Sequence, residues 1–212
     1  EKIEVVKNGA NRELFKPMPK DEALAERLGL NGKRVIGYIG THGLAHKLDF
    51  ILQCAKNMQG KNDYHFLFIG AGAEKERLLK MRNTEHIDNV TMLDPVPKTE
   101  VWRYISILDL CLINLKKSPL FTTVIPSKIF ENAGMEIPII MGVEGEAKDI
   151  SYGAGLCFEP ENEADFNDKL DKLLADDALY EKCKEGCRAL SNDFDRKVLA
   201  AKMLKVIENT VE

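Results

Sequence analysis

Pro126-Ser127-Lys128, with Glu131 about one helical turn further on, is the stretch whose residue types and spacing could do chemistry. Proline fits the last extended position or the first helical turn, where its missing N–H costs nothing. Ser127 is a natural N-cap or first-turn residue whose hydroxyl can satisfy an orphan amide. Free amides at a helix start, with the positive end of the helix dipole, form a site for phosphate, and Lys128 adds a full charge beside it. Glu131 falls on or near the same face. A carboxylate there is poorly placed for phosphate but well placed to accept hydrogen bonds from sugar hydroxyls, as an acidic residue does for the ribose of a dinucleotide. Phosphate plus ribose suggests a nucleotide. An ordinary capped helix with a solvated lysine and glutamate satisfies the same residues, so other stretches must decide.

Gly40-Thr41-His42-Gly43 followed by Lys47 is the second constellation. Its glycines let backbone approach a ligand, and Lys47 near a helix start can reach phosphate as a point charge. His42 can hydrogen-bond a sugar or phosphate, or sit as a solvated loop histidine. Gly70-Ala71-Gly72-Ala73-Glu74-Lys75 resembles a dinucleotide fingerprint superficially; Lys75 replaces the third glycine and no acidic ribose ligand follows at the expected distance, which argues against NAD. Leu93-Asp94-Pro95-Val96-Pro97 could lay an apolar side chain against a base, and Glu144-Gly145-Glu146 is a further acidic loop. No P-loop, no Gly-x-Ser-x-Gly elbow and no Ser/His/Asp arrangement of suitable spacing occurs.

These loops need elements to hold them. Val35–Gly40, Tyr64–Gly70, Val90–Leu93, Leu108–Leu115, Ile137–Met141 and Gly155–Phe158 are short apolar runs rich in β-formers, as in strands buried on both faces of a parallel sheet. Helical spacing fills the intervals: Glu22–Leu28, His46–Met58, Ala73–Met81, Lys98–Ile107 with Trp102 and Ile105 inward, the helix opened by Ser127, and Glu146–Tyr152. After Glu159-Pro160 the pattern is wholly helical, over Glu163–Leu174, Ala178–Leu190 and Arg196–Val211. The fold class is α/β, a doubly wound Rossmann-like parallel sheet of about six strands whose ligands bind at the strands' carboxyl ends. The opening Ile3–Val6 alternates like a short strand, and the link through Phe15-Lys16-Pro17 reads as an entrance outside the core.

With 212 residues and 44% hydrophobic content, the chain can build one sizeable core. A net charge of −4 argues against a nucleic-acid-binding domain. The five cysteines have no paired metal-ligand spacing; Cys54, Cys111 and Cys157 lie in apolar runs as core thiols, and a reducing cytoplasm fits them best. No apolar run is long enough to span a membrane, Glu1-Lys2-Ile3-Glu4 does not resemble a signal peptide, and the missing initiator Met suggests a piece of a longer polypeptide.

Taken in order, these residues resemble the C-terminal, donor-binding half of the retaining group 1 glycosyltransferases, whose two Rossmann-like domains form the GT-B architecture. The resemblance rests on Val5–Asn11 with Phe15 and Pro17, on Asn83–Leu115, on Pro126–Glu131, on Pro138-Ile139-Ile140, Gly145-Glu146, and Gly153–Leu156 with Glu159-Pro160. It implies an interdomain segment at 1–19, a nucleotide-sugar domain at 20–192, and a helix at 193–212 that crosses to a missing N-terminal acceptor domain of the same polypeptide. It also implies a donor site of Gly40, Thr41, His42, Gly43, Lys47, Gly72, Val96, Thr123, Ser127, Lys128, Ile129 and Glu131. Within it Glu131 holds the ribose, the amides of Ser127 to Ile129 the diphosphate, and Val96 the base. Many relatives carry two glutamates eight positions apart; Thr123 stands at the earlier position here, and Thr41 replaces a frequent arginine six positions before Lys47. Lys47 and Lys128 would stabilise the leaving diphosphate with no metal and no cofactor.

The Gly40–Leu44 version looks like transferases that build bacterial surface polysaccharides from UDP-linked N-acetylated sugars. The expected enzyme is cytoplasmic, peripheral at the membrane when full-length, binds no nucleic acid, and transfers sugar to a glycan or lipid-linked acceptor. The isolated chain is expected to bind donor but transfer poorly or not at all. A fragment of a sugar-nucleotide epimerase of the same shape, or a non-catalytic nucleotide-binding module, are the alternatives.

Overall fold

The computed structural model describes residues 3–61, 63–151 and 153–211. Glu1, Lys2 and Tyr152, which belong to the expected opening segment and to the end of the helix begun at Glu146, lie outside them. Six parallel strands form one sheet: β1 (Arg34–Ile39), β2 (Tyr64–Ile69), β3 (Val90–Leu93), β4 (Leu110–Asn114), β5 (Ile139–Gly142) and β6 (Gly155–Phe158), in the order β3-β2-β1-β4-β5-β6. The order reverses between β1 and β4, so the carboxyl ends of these two strands flank the topological switch point where ligands of open α/β sheets bind.

The helices are α1 (Glu22–Arg27), α2 (Leu48–Asn57), α3 (Lys75–Thr84), α4 (Val101–Ile105), α5 (Lys128–Gly134), α6 (Glu146–Ile150), α7 (Glu163–Ala175), α8 (Asp177–Asp193) and α9 (Arg196–Val211). Asp21, Asn162 and Asp176 start α1, α7 and α8 by accepting from the amides of Leu24, Asp165 and Leu179 at 2.9–3.1 Å. Alternate strand residues supply two cores. Val35, Leu67, Ile69, Cys111, Ile113 and Met141 face one side of the sheet, where Ile129 and Phe130 of α5 and Cys187 and Leu190 of α8 also pack. Ile36, Tyr38, Phe66, Phe68, Leu112 and Ile140 face the other with α2 and α7. Burial on both faces explains why the strands read as continuous apolar runs.

Three expectations change. Residues 3–6 form no strand: with Ile3 79% and Val5 65% exposed and no partner strand beside them among the described residues, alternation alone stabilises nothing. The following link is not outside the core, because Ala10 and Phe15 are buried in it. Ala10 also forms a parallel bridge with Asp195, donating to the Phe194 carbonyl at 3.0 Å and accepting from the Arg196 amide at 3.0 Å. The helix expected from Lys98 begins only at Val101, since residues 98–100 make a turn closed by the Glu100 amide on the Pro97 carbonyl.

Candidate functional site

The carboxyl ends of β1 and β2 run into two glycine loops that touch backbone to backbone. Gly40 and Gly70 have φ of +153° and +151°, and a Cβ on Gly70 would lie 1.9 Å from the Gly40 carbonyl oxygen. Only glycine fits this approach. His42 joins the loops from within: its amide donates to the Ala71 carbonyl at 2.8 Å, and its carbonyl accepts from the Glu74 amide at 2.9 Å. The imidazole is fully buried, 5.9 Å from the Tyr38 ring and 6.4 Å from that of Phe68. Burial, then the charges of Lys75 and Lys128, lowers its pKa to about 4, so it is neutral at pH 7. Neither ring nitrogen has a hydrogen-bond partner among the described residues. His42 is therefore a buried residue and not a solvated loop histidine. Gly72 lies against it, since a Cβ there would meet the His42 carbonyl oxygen at 2.3 Å. Lys75, the residue in place of the third fingerprint glycine, donates to the carbonyls of Gly70 and Leu93 and ties the ends of β2 and β3 together.

At the start of α5, Ser127 already has helical dihedrals, φ −58° and ψ −25°, and its hydroxyl caps no amide. An N-cap side chain reaches back to its helix only from an extended residue, so of the two places expected for Ser127 the structure gives the first turn and not the cap. The Ile129 amide donates to the Pro126 carbonyl at 3.1 Å and its side chain is in the core, which removes Ile129 as an anion donor. The amides of Ser127 and Lys128 have no acceptor among the described residues. The Lys128 ammonium sits 4.0 Å over the Tyr38 ring. It lies against Gly40, where a Cβ would come within 2.5 Å of Nζ. Burial, partly offset by Glu131, lowers its pKa to about 8.

A cleft of about 410 Å3 opens above these groups, lined among others by Gly40, Thr41, Gly70, Val96, Lys98 and Glu131. Glu131 is 21% exposed, with Lys98 Nζ at 3.6 Å. The structure thus brings Gly40, Thr41, Val96 and Glu131 together. Gly43 and Lys47 line a separate pocket of about 170 Å3 with Asp49, Glu74 and Arg77, and the Lys47 ammonium is on Asp49 at 3.2 Å. Thr123 and Ser127 are exposed and do not line the cleft. Phe15 and Lys98 line it without having been expected there. The position of Lys98, next to the Pro95–Pro97 loop, was the available signal for one; nothing local marked Phe15. Among the described residues no group of three or more His, Cys, Asp or Glu could hold a metal ion, and no helix is long and apolar enough to cross a membrane.

The sequence profile of the family described as "Glycosyl transferases group 1" matches residues 21–189. The chain belongs to this family. Its similarity to TuaH of Bacillus subtilis (strain 168), provisionally named a teichuronic acid biosynthesis glycosyltransferase, is 32% identity over 143 residues, covering 66% of this chain and 34% of TuaH. The fold matches Anabaena HepE, solved in complex with UDP, with a TM-score of 0.84 at 15% identity, over 97% of this chain and 57% of HepE. It also matches the C-terminal domain of the group 1 protein LpcC from Francisella tularensis, with a TM-score of 0.66 at 18% identity, over 87% of this chain and 97% of that domain. This group 1 chain therefore spans about a third of its curated relative and more than half of HepE, and has the extent of a family domain solved by itself.

Proposed function

We propose that the chain is the donor-binding half of a retaining glycosyltransferase that uses a UDP-linked, N-acetylated sugar and a glycan or lipid-linked acceptor. The observation that carries this reading is the Glu131 carboxylate, largely buried at the wall of a cleft framed by two glycine loops and Val96, and free to exchange the 3.6 Å Lys98 contact for ribose hydroxyls. The Ser127 and Lys128 amides and the Lys128 ammonium take the diphosphate, Val96 lies against the base, and Lys47 stabilises the leaving group as charge develops, without a metal or cofactor. HepE bound to UDP supports the nucleotide, and the name of TuaH supports a surface-polysaccharide product. The acceptor site belongs to an N-terminal domain of the same polypeptide, so this chain alone binds donor and transfers poorly. The exposed Met203 and Ile207 of α9 support a crossing of residues 193–212 to that domain. The whole enzyme works in the cytoplasm, peripheral at the membrane.

Calorimetric titration with UDP, GDP and ADP tests the donor site. UDP should bind in preference, and Glu131→Ala should weaken it about ten- to a hundredfold, the range for hydrogen bonds to a charged group. The reading fails if no diphosphate binds at millimolar concentration, or if Glu131→Ala leaves the affinity unchanged.

A further inference from the structure

Asp49, in the first turn of α2, holds more cations than a surface carboxylate needs. Its Oδ2 is 3.2 Å from the Lys47 ammonium and 3.1 Å from the Arg77 guanidinium, while its Oδ1 accepts from the Phe50 amide at 3.0 Å. Arg77 is itself anchored by Glu74, which accepts from its Nε at 2.6 Å. Lys47, in contrast, has its ammonium on Asp49 and its backbone held separately: it sits in the left-handed region at φ 47°, and its carbonyl accepts from the Phe50 amide at 3.2 Å and from the buried Asn114 side chain at 3.3 Å. Rigid backbone and a flexible four-carbon stem let the ammonium move while its root stays in place.

We propose that Asp49 is a positioning residue that parks Lys47 outside the donor cleft and hands it to the diphosphate when a nucleotide binds. The inference rests on the donor-site reading above. The handover is cheap because Asp49 is not stranded by it. A largely buried carboxylate that lost its sole cation would resist release, but Arg77 and the Phe50 amide stay on Asp49 after Lys47 departs. Asp49 and Arg77 line the same pocket as Lys47 together with Gly43, while Gly40 and Thr41 of the same loop line the cleft with Glu131.

Two substitutions outside the donor-binding set should then act in opposite directions. Asp49→Asn removes the competitor for Lys47 and should tighten UDP about two- to fivefold, the worth of a partly exposed ion pair. Arg77→Ala leaves Lys47 as the one side-chain cation on Asp49 and should weaken UDP by a similar factor. Asp49→Glu, which keeps the charge, should restore the parent affinity. In a Lys47→Ala background Asp49→Asn should have no effect, since the latch has nothing left to hold. Damage to folding cannot tighten a ligand, so the first sign already separates the proposal from a structural role. Titration of UDP into this chain and these variants decides between the outcomes. If UDP binds the parent and Glu131→Ala weakens it, but Asp49→Asn is neutral or weaker, or tightens equally without Lys47, the latch is wrong and the donor site stands. If UDP does not bind the parent at all, the donor reading and the handover fall together.

Discussion

Two clefts open at opposite ends of one sheet: about 410 Å3 where the strands end, and about 460 Å3 where they begin, lined by Lys33, Lys61, Asp63, His65 and Asn89. In the second, most polar groups are answered by neighbours, although the buried Asn89 Oδ1 has no partner among the described residues. Lys33 meets Asp63 at 3.4 Å, His65 meets Thr91 at 2.8 Å, the Asp88 amide donates to Gln59 at 2.7 Å, and Asn89 donates to the Ala55 carbonyl at 2.8 Å. In the first, glycine loops leave backbone bare and Glu131 has Lys98 at 3.6 Å, while the Ser127 and Lys128 amides, outside the lining of the cleft, have no acceptor among the described residues. Size does not separate the two ends; backbone bared by glycines beside a part-buried carboxylate does.

The sharpest way to break this contrast is to add one methyl group at each end. Gly70→Ala drives a Cβ to 1.9 Å from the Gly40 carbonyl oxygen and should cost about 3 kcal/mol or more, read as loss of the cooperative thermal transition or a large fall in Tm. Gly60→Ala, in the other cleft at φ +73° with nothing within 4 Å of the new Cβ, should cost about 1 kcal/mol and leave UDP binding unchanged.

Acid should act at both ends. Burial lowers the pKa of His42, His46 and His65 to about 4 from an ordinary 6.5. Between these values the unfolded chain binds more protons than the native one, so stability falls as pH drops from 6.5 towards 4 and levels below it. Each group contributes up to about 1.4 kcal/mol per pH unit in that window. Urea midpoints measured from pH 7 to 4 should show the fall, and His42→Phe, which keeps an aromatic ring between Tyr38 and Phe68, should make the dependence shallower.

The smallest effect belongs to one end alone. Lys128, with its pKa near 8, should lose its charge as pH rises from 7 to 9, while the UDP phosphates are already ionised. UDP affinity should therefore fall by a fewfold over that range, and by less in Lys128→Met; substituting Lys61 in the opposite cleft should alter neither.

The sheet was legible because its strands are buried on both faces and interrupted by glycines, and the composite followed from the places of Gly40 and Val96 at strand ends and of Glu131 one turn into a helix. What stayed hidden depends on contacts far apart in sequence. His42 is a loop residue by its neighbours, and only the missing side chains of Gly70 and Gly72, some thirty residues on, make the space that buries it. Ser127 suits a cap or a first turn by chemistry, and its helical dihedrals alone decide for the turn. Lys47 carries no mark in the sequence that Asp49 would claim its charge, or that Arg77 would share that carboxylate. Alternation at 3–6 misled for the same reason, since a strand needs a partner that one segment cannot announce.

The bridge between Ala10 and residues 194–196 also has a mechanical meaning. It is reinforced by Arg196 Nε on the Gly9 carbonyl at 2.9 Å, Arg12 on Asn192 at 2.6 Å and Lys197 on Glu13 at 2.6 Å. Tension applied to residue 3 and residue 211 meets this clasp before it reaches any rung of the sheet. The clasp works as a fuse: a pulling experiment should record its rupture as an early, low-force event of short extension, with the Rossmann-like body and its cleft still intact.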